Sequence, residues 1–127
     1  MRETIYAWLQ TVALRALLGD PPRATPAGEE EAPDSLADKQ ERQPYITWQI
    51  VVGSAENYLA ESPDIDQYRI QWDVYGITDS QSWQVLNALR QALEPHGHEV
   101  SFNLDQRDSD TRLYRKSVDF EFWIERE

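Results

Sequence analysis

The sequence predicts an α+β fold: an antiparallel or mixed sheet of about four to five strands with two helices packed on one face. Three observations carry that expectation. The stretch Leu113-Tyr-Arg-Lys-Ser-Val-Asp-Phe-Glu-Phe-Trp-Ile124 alternates, with Tyr114, Lys116, Val118, Phe120, Phe122 and Ile124 on one side. Arg115, Ser117, Asp119, Glu121, Trp123 and Glu125 fall on the other. Successive strand side chains point to opposite faces, so one face enters a core and the other meets water. The run Gln67–Tyr75 has the same grammar, with Tyr68, Ile70, Trp72 and Val74 aligned. Two stretches with helical spacing supply cover for the apolar face.

In chain order, Arg2–Leu18 reads as one amphipathic helix. Ile5, Trp8, Leu9, Val12 and Ala16 recur at helical spacing, and Leu14, Leu17 and Leu18 widen the stripe. Gly19 closes it and Pro21 and Pro22 stop it from resuming. Residues 20–43 change character: Pro21, Pro22, Pro26, Gly28, Pro33 and Glu29-Glu30-Glu31 stand among small polar residues, with Leu36 the one large aliphatic. Such a segment buries too little apolar surface to offset its ordering entropy, which predicts a mobile acidic loop. It is either a solvated insertion or an arm that orders against a neighbour.

Pro44–Gly53 is the first predicted strand, with Ile46, Trp48, Ile50 and Val52 facing one way and Pro44 at its start, where a missing donor costs least. Residues 54–65 hold Asn57-Tyr-Leu-Ala60 and a turn at Ser62-Pro-Asp64, either a short strand or a connection. After the strand Gln67–Tyr75, Thr78-Asp79-Ser80 supplies helix N-cap chemistry. Ser82, Val85, Leu86, Leu89, Ala92 and Leu93 form the stripe of a second helix, which Glu94-Pro95-His96-Gly97 ends. His98–Leu104 reads as a strand with Val100, Phe102 and Leu104 on one face, and the polar turn 105–111 leads into the final strand.

At 127 residues the chain has the length of one domain, 1–127, with a single core. It has no cysteine, which excludes disulfides, zinc–thiolate sites and cysteine nucleophiles. The apolar segment Ile5–Leu18 is short and carries Arg15, so it reads as a core helix rather than a signal peptide or membrane span. The net charge is −11, from 23 acidic and 12 basic side chains, with no basic run. Phosphate backbones are held by Lys and Arg, so autonomous nucleic-acid binding is not expected. A basic protein partner is compatible with the charge.

No chemistry-bearing constellation outweighs its structural explanation. His96 and His98 flank a turn glycine, and no third histidine or cysteine exists to complete a metal site. Asp105, Asp108 and Asp110 resemble a calcium loop only faintly, lacking its glycine and terminal glutamate, and suit a polar hairpin connection. No glycines frame a serine as in a nucleophile elbow, and none form a phosphate-cradling loop. The sheet is rich in aromatics (Tyr45, Trp48, Tyr68, Trp72, Tyr75, Phe122 and Trp123) but lacks the interleaved cations of a base-stacking platform. No catalytic, cofactor-binding or metal-binding residue is assigned. Tyr45, Tyr75, Trp83 and Trp123 fall opposite the main stripes, which is either a second minor core or a protein-binding surface.

The order of these pieces resembles the tail-completion, or tail-to-head joining, proteins of long-tailed bacteriophages and prophages. The resemblance rests on Ala13-Leu-Arg-Ala-Leu-Leu-Gly19, on Pro44-Tyr-Ile-Thr-Trp48 followed by Tyr68-Arg-Ile-Gln-Trp-Asp-Val-Tyr-Gly76 and Val85-Leu-Asn-Ala-Leu-Arg-Gln-Ala-Leu93, and on the ending Leu113–Trp123. It implies an α+β virion structural protein without catalysis or cofactor, made in the bacterial host cytoplasm and placed at the head–tail junction. Its implied partners are other copies of itself in a hexameric ring, the tail tube protein, and the head connector or stopper protein. No membrane and no sequence-specific nucleic acid are implied. The loop 20–43 departs from the family in length and acidity. Two other classes compete: a small α+β adaptor for a basic cellular protein, and an enzyme using a pair of shifted carboxylates on the open sheet face.

Overall fold

The computed structural model describes residues 2–19, 22–26, 44–55, 65–107, 109 and 112–125. Its elements are α1 (Arg2–Trp8), α2 (Val12–Leu18), β1 (Ala24–Pro26), β2 (Tyr45–Ala55), β3 (Ile65–Gly76), α3 (Asp79–Leu93), β4 (Gly97–Arg107) and β5 (Tyr114–Glu125). The five strands form one open mixed sheet in the order β1-β2-β3-β5-β4. Only β1 and β2 run parallel; every other pairing is antiparallel. The α+β class holds, with three helices rather than two.

The expected N-terminal helix is broken. Thr11 takes an extended conformation and its hydroxyl accepts from the Leu14 amide, capping α2, while the Gln10 side chain donates to the Tyr6 carbonyl at the end of α1. The side-chain oxygen of threonine competes with helical hydrogen bonding, and two β-branched residues in succession weaken the helix there. The break changes the buried stripe. Ile5, Leu9, Leu14 and Leu18 are buried, whereas Val12 is 78% exposed and Ala16 faces solvent. The chain then turns at Gly19, whose positive φ of 93° suits glycine. Arg23 fastens the start of the sheet: its amide bonds Leu18, its carbonyl accepts from Ile46 and its Nε donates to the Pro44 carbonyl at 2.9 Å. The expected loop 20–43 therefore contains a short strand, β1; residues 27–43 lie outside the described residues. Of the uncertain stretch 54–65, Ser54 and Ala55 extend β2 and Ile65 begins β3; residues 56–64 lie outside the described residues.

One sheet face packs on the helices. Ile46, Trp48, Ile70, Trp72, Val74, Val118, Phe120 and Phe122 meet Ile5, Leu9, Leu14, Leu18 and the α3 stripe Val85, Leu86, Leu89, Ala92 and Leu93 in one core. Burying a large apolar side chain contributes about 1.5–3 kcal/mol, so this cluster is what holds the layers together. Thr78 caps α3 through its hydroxyl, which accepts from the Gln81 amide at 3.0 Å. At Gly76 an added Cβ would come within 2.6 Å of the Ser82 backbone nitrogen, so glycine lets α3 fold back tightly onto β3.

The β4 pattern departs from expectation. Val100 and Asn103 are extra residues where the β4–β5 register shifts. Each bulge resets the alternation. Phe102 consequently lies opposite Val118 on the helix-covered face, while Leu104 lies opposite Ser117 on the other face. Val100, Phe102 and Leu104 do not share a side.

Candidate interaction surfaces

The sheet face away from the helices is a network of paired polar groups. Arg115 Nη2 sits 2.8 Å from Asp73, which also accepts from Gln71. Arg69 Nε donates to Asp119 Oδ2 at 2.9 Å, and Asn103 donates to the other carboxylate oxygen at 2.8 Å. Ser101 joins Arg69 and Asn103. His98 lies 3.6 Å from Glu121 and stacks on Trp123, a residue 45% exposed. Asp73 and Asp119 are buried and each is paired with a guanidinium, as buried charged groups generally are.

The aromatic surplus divides. Tyr45 and Tyr75 stack at 4.5 Å and bury themselves with Leu113 in a second small cluster, so they are not surface aromatics. Trp83 is half-buried and packs on Phe102. Trp123 alone of the four is exposed.

A charge was hidden in the apolar register of the last strand. Lys116 is fully buried, with Nζ 2.7 Å from Ser82 Oγ, 2.9 Å from Asp79 and 3.1 Å from Asp105, and 4.6 Å from the centre of the Trp83 ring. Its position in the sequence, two residues before Val118 on the core side, was the available signal: a cation there needs a carboxylate brought from elsewhere. Lys116 thus ties the start of α3 and strand β4 to β5.

The residues considered for metal binding do not converge. His96 stacks on Trp8, which lies between it and Phe122 at 4.7 Å on each side, and this burial lowers the imidazole pKa. His98 engages Glu121, and Asp105 engages Lys116; Asp108 and Asp110 lie outside the described residues. Among the described residues no group of three or more metal-ligating side chains gathers, and no helix is long and apolar enough to cross a membrane. A shallow apolar recess of about 250 Å³ opens between α1 and β1, lined by Tyr6, Leu9, Gln10, Pro22 and Ala24.

The described surface therefore offers internally neutralised polar pairs, an exposed tryptophan and two sheet edges. Edge backbone groups and exposed apolar side chains are means of protein association. Comparison with known proteins bears on which association. No curated protein sequence matches the chain. Among solved structures, a chain of the virion of a native gene transfer agent particle is similar in fold, with a TM-score of 0.59 over 96% of this chain and 92% of that one, at 13% identity. The family model described as tail completion protein gp17 matches residues 3–125. With all five described strands, α2, α3 and all of α1 but its first residue inside that match, the chain belongs to the tail completion protein family, a family of phage tail structural proteins.

Proposed function

We propose that this protein ends the phage tail tube and joins the tail to the head connector, acting as a hexameric ring at the head-proximal end of the tail. The family match across residues 3–125 is the observation that carries the reading. The site geometry is consistent with it. Charged side chains on the sheet face are spent on one another, which suits a rigid protein-contact surface rather than substrate handling. The partners in this reading are neighbouring copies of the chain, the tail tube protein and the head connector or stopper protein. The role is structural, without turnover of a substrate.

The test is electron microscopy of lysates from a phage or induced prophage lacking the gene. Full heads lying apart from tails of irregular length, restored to joined particles by the gene in trans, is the expected result. Intact infectious particles without the gene would overturn the reading and favour an adaptor for a cellular protein.

A further inference from the structure

The open sheet ends in two different edges, and both lack a neighbouring strand over a defined stretch among the described residues. β1 pairs only with Ile46–Trp48, leaving Gln49–Ala55 of β2 without an outer partner. At the opposite edge, β4 pairs with β5 on one side only. The exposed large apolar side chains concentrate on these two stretches: Ile50 and Val51 on β2, Val100 and Phe102 on β4. Among the described residues, neither Gln49–Ala55 nor the Gly97–Ser101 part of β4 carries an unpaired carboxylate or guanidinium to ward off another strand. Gln49–Ala55 has no ionisable residue, and Glu99 and His98 of β4 are turned to Arg90 at 2.7 Å and Glu121 at 3.6 Å within the same chain. Unguarded apolar edges are what strand addition uses.

We propose that β4 of one copy pairs with the free half of β2 of the next, so that the sheets of neighbouring copies are continuous. Strand directions permit it. Three successive antiparallel pairings, β2 with β3, β3 with β5 and β5 with β4, leave β4 running opposite to β2. A second copy set beside the first with its sheet in the same orientation therefore meets it antiparallel, the commoner arrangement. The level follows from the register. Ile50 aligns through Ile70 and Phe120 with Glu99, so the half of β2 left free by β1 lies level with Gly97–Ser101. The faces also match: Ile50 lies opposite the core residue Ile70, and Glu99 opposite the core residue Phe120, so both project toward the helix side. The bulges of β4 at Val100 and Asn103 interrupt its alternation and confine regular pairing to a short stretch, limiting promiscuous edge growth. Two different edges make the contact heterologous, and such a contact closes into a ring when its rotation divides a full turn. The inference rests on the ring reading above and specifies the surface that builds it.

The absence of cysteine makes the test clean. Tails are purified from a gene-deleted phage complemented with Ile50→Cys plus Glu99→Cys in one chain, the two positions the register brings level, oxidised, and run without reductant. The expected result is a ladder of covalent multimers ending at the ring size, absent in wild type and in either single variant. A mixture of the two single variants should stop at the dimer. A second pair, Val51→Cys with Val100→Cys, covers a failure of the first to fold, which thermal unfolding reports independently. Joined tails that contain the folded variants of both pairs yet show no cross-link would overturn the edge pairing while leaving the joining function intact. A dimer from one single variant alone would overturn it too, by revealing a two-fold contact. Wild-type complementation that leaves tails without the chain would instead refute the functional reading on which the inference rests.

Discussion

Replacing Lys116 with methionine removes one buried cation and leaves two carboxylates that reach water, since the Asp79 and Asp105 side chains are 56% and 46% exposed. The reverse change, Asp79→Asn with Asp105→Asn, leaves a fully buried ammonium facing only neutral groups. The two perturbations break the same cluster and differ in what remains. Stranding a buried charge costs about 3–5 kcal/mol, whereas exchanging it for an apolar side chain of similar length ranges from neutral to roughly 2 kcal/mol, chiefly the lost bond to Ser82. Asp79 also stands in the first turn of α3, where a negative charge contributes about 0.3–1 kcal/mol with the helix dipole. That contribution survives in the Lys116→Met background, so measuring Asp79→Asn there isolates it. Urea and thermal unfolding monitored by tryptophan fluorescence and far-UV circular dichroism read all three variants against wild type. For a chain of this size each kcal/mol moves Tm by roughly 3–5 °C, so the aspartate double variant should melt about 10–20 °C below wild type and Lys116→Met less than about 8 °C below. A Lys116→Met variant less stable than the double aspartate variant would refute the reasoning.

Other consequences are equally specific. Gly97→Ala places a Cβ against the Glu121 carbonyl oxygen and 2.5 Å from the Phe122 ring, so chemical denaturation should show a loss of about 1–3 kcal/mol, and an unchanged midpoint would contradict that close packing. Thr78→Ala removes the N-cap of α3 and should cost about 1 kcal/mol, whereas Ser80→Ala, two residues further on, should stay within roughly 0.5 kcal/mol. His96, half sandwiched against Trp8, should titrate below the ordinary 6.5 in a histidine NMR titration. The sign follows from linkage: the depressed folded pKa means the unfolded chain binds the proton first, so this contribution to stability is present above pH 6.5 and is lost as pH falls toward the folded value. A midpoint above 6.5 would mean that the stack favours the charged ring.

The sequence made the central sheet legible because β3 and β5 alternate without interruption, and their buried face, Ile70, Trp72, Val74, Val118, Phe120 and Phe122, follows directly from that alternation. Period-two patterns identify such strands when one face is covered and the other is not. The α3 stripe was readable for the same reason at its own period. Reading failed where one local competitor interrupts a period. Thr11 offers the backbone a cap and splits the first helix, turning Val12 outward. Two extra residues in β4 reverse its alternation twice without any glycine or proline to announce them. For Tyr45 and Tyr75, each on the polar side of its strand, a second minor core and a binding surface were both open from the sequence; their direct opposition in the β2–β3 register brings the rings together and decides for the minor core. The candidate interface was the least legible part. A sheet edge is defined by strand order, and strand order depends on pairings across the whole chain.

The account stands or falls on where the protein sits. Purified tails from particles carrying a tagged copy of the chain, labelled with gold and imaged by electron microscopy, test this directly. The account predicts label at one end only, the end that faces the head, with none along the tube and none on detached heads. Label distributed along the tube, or joined particles free of label, would contradict it.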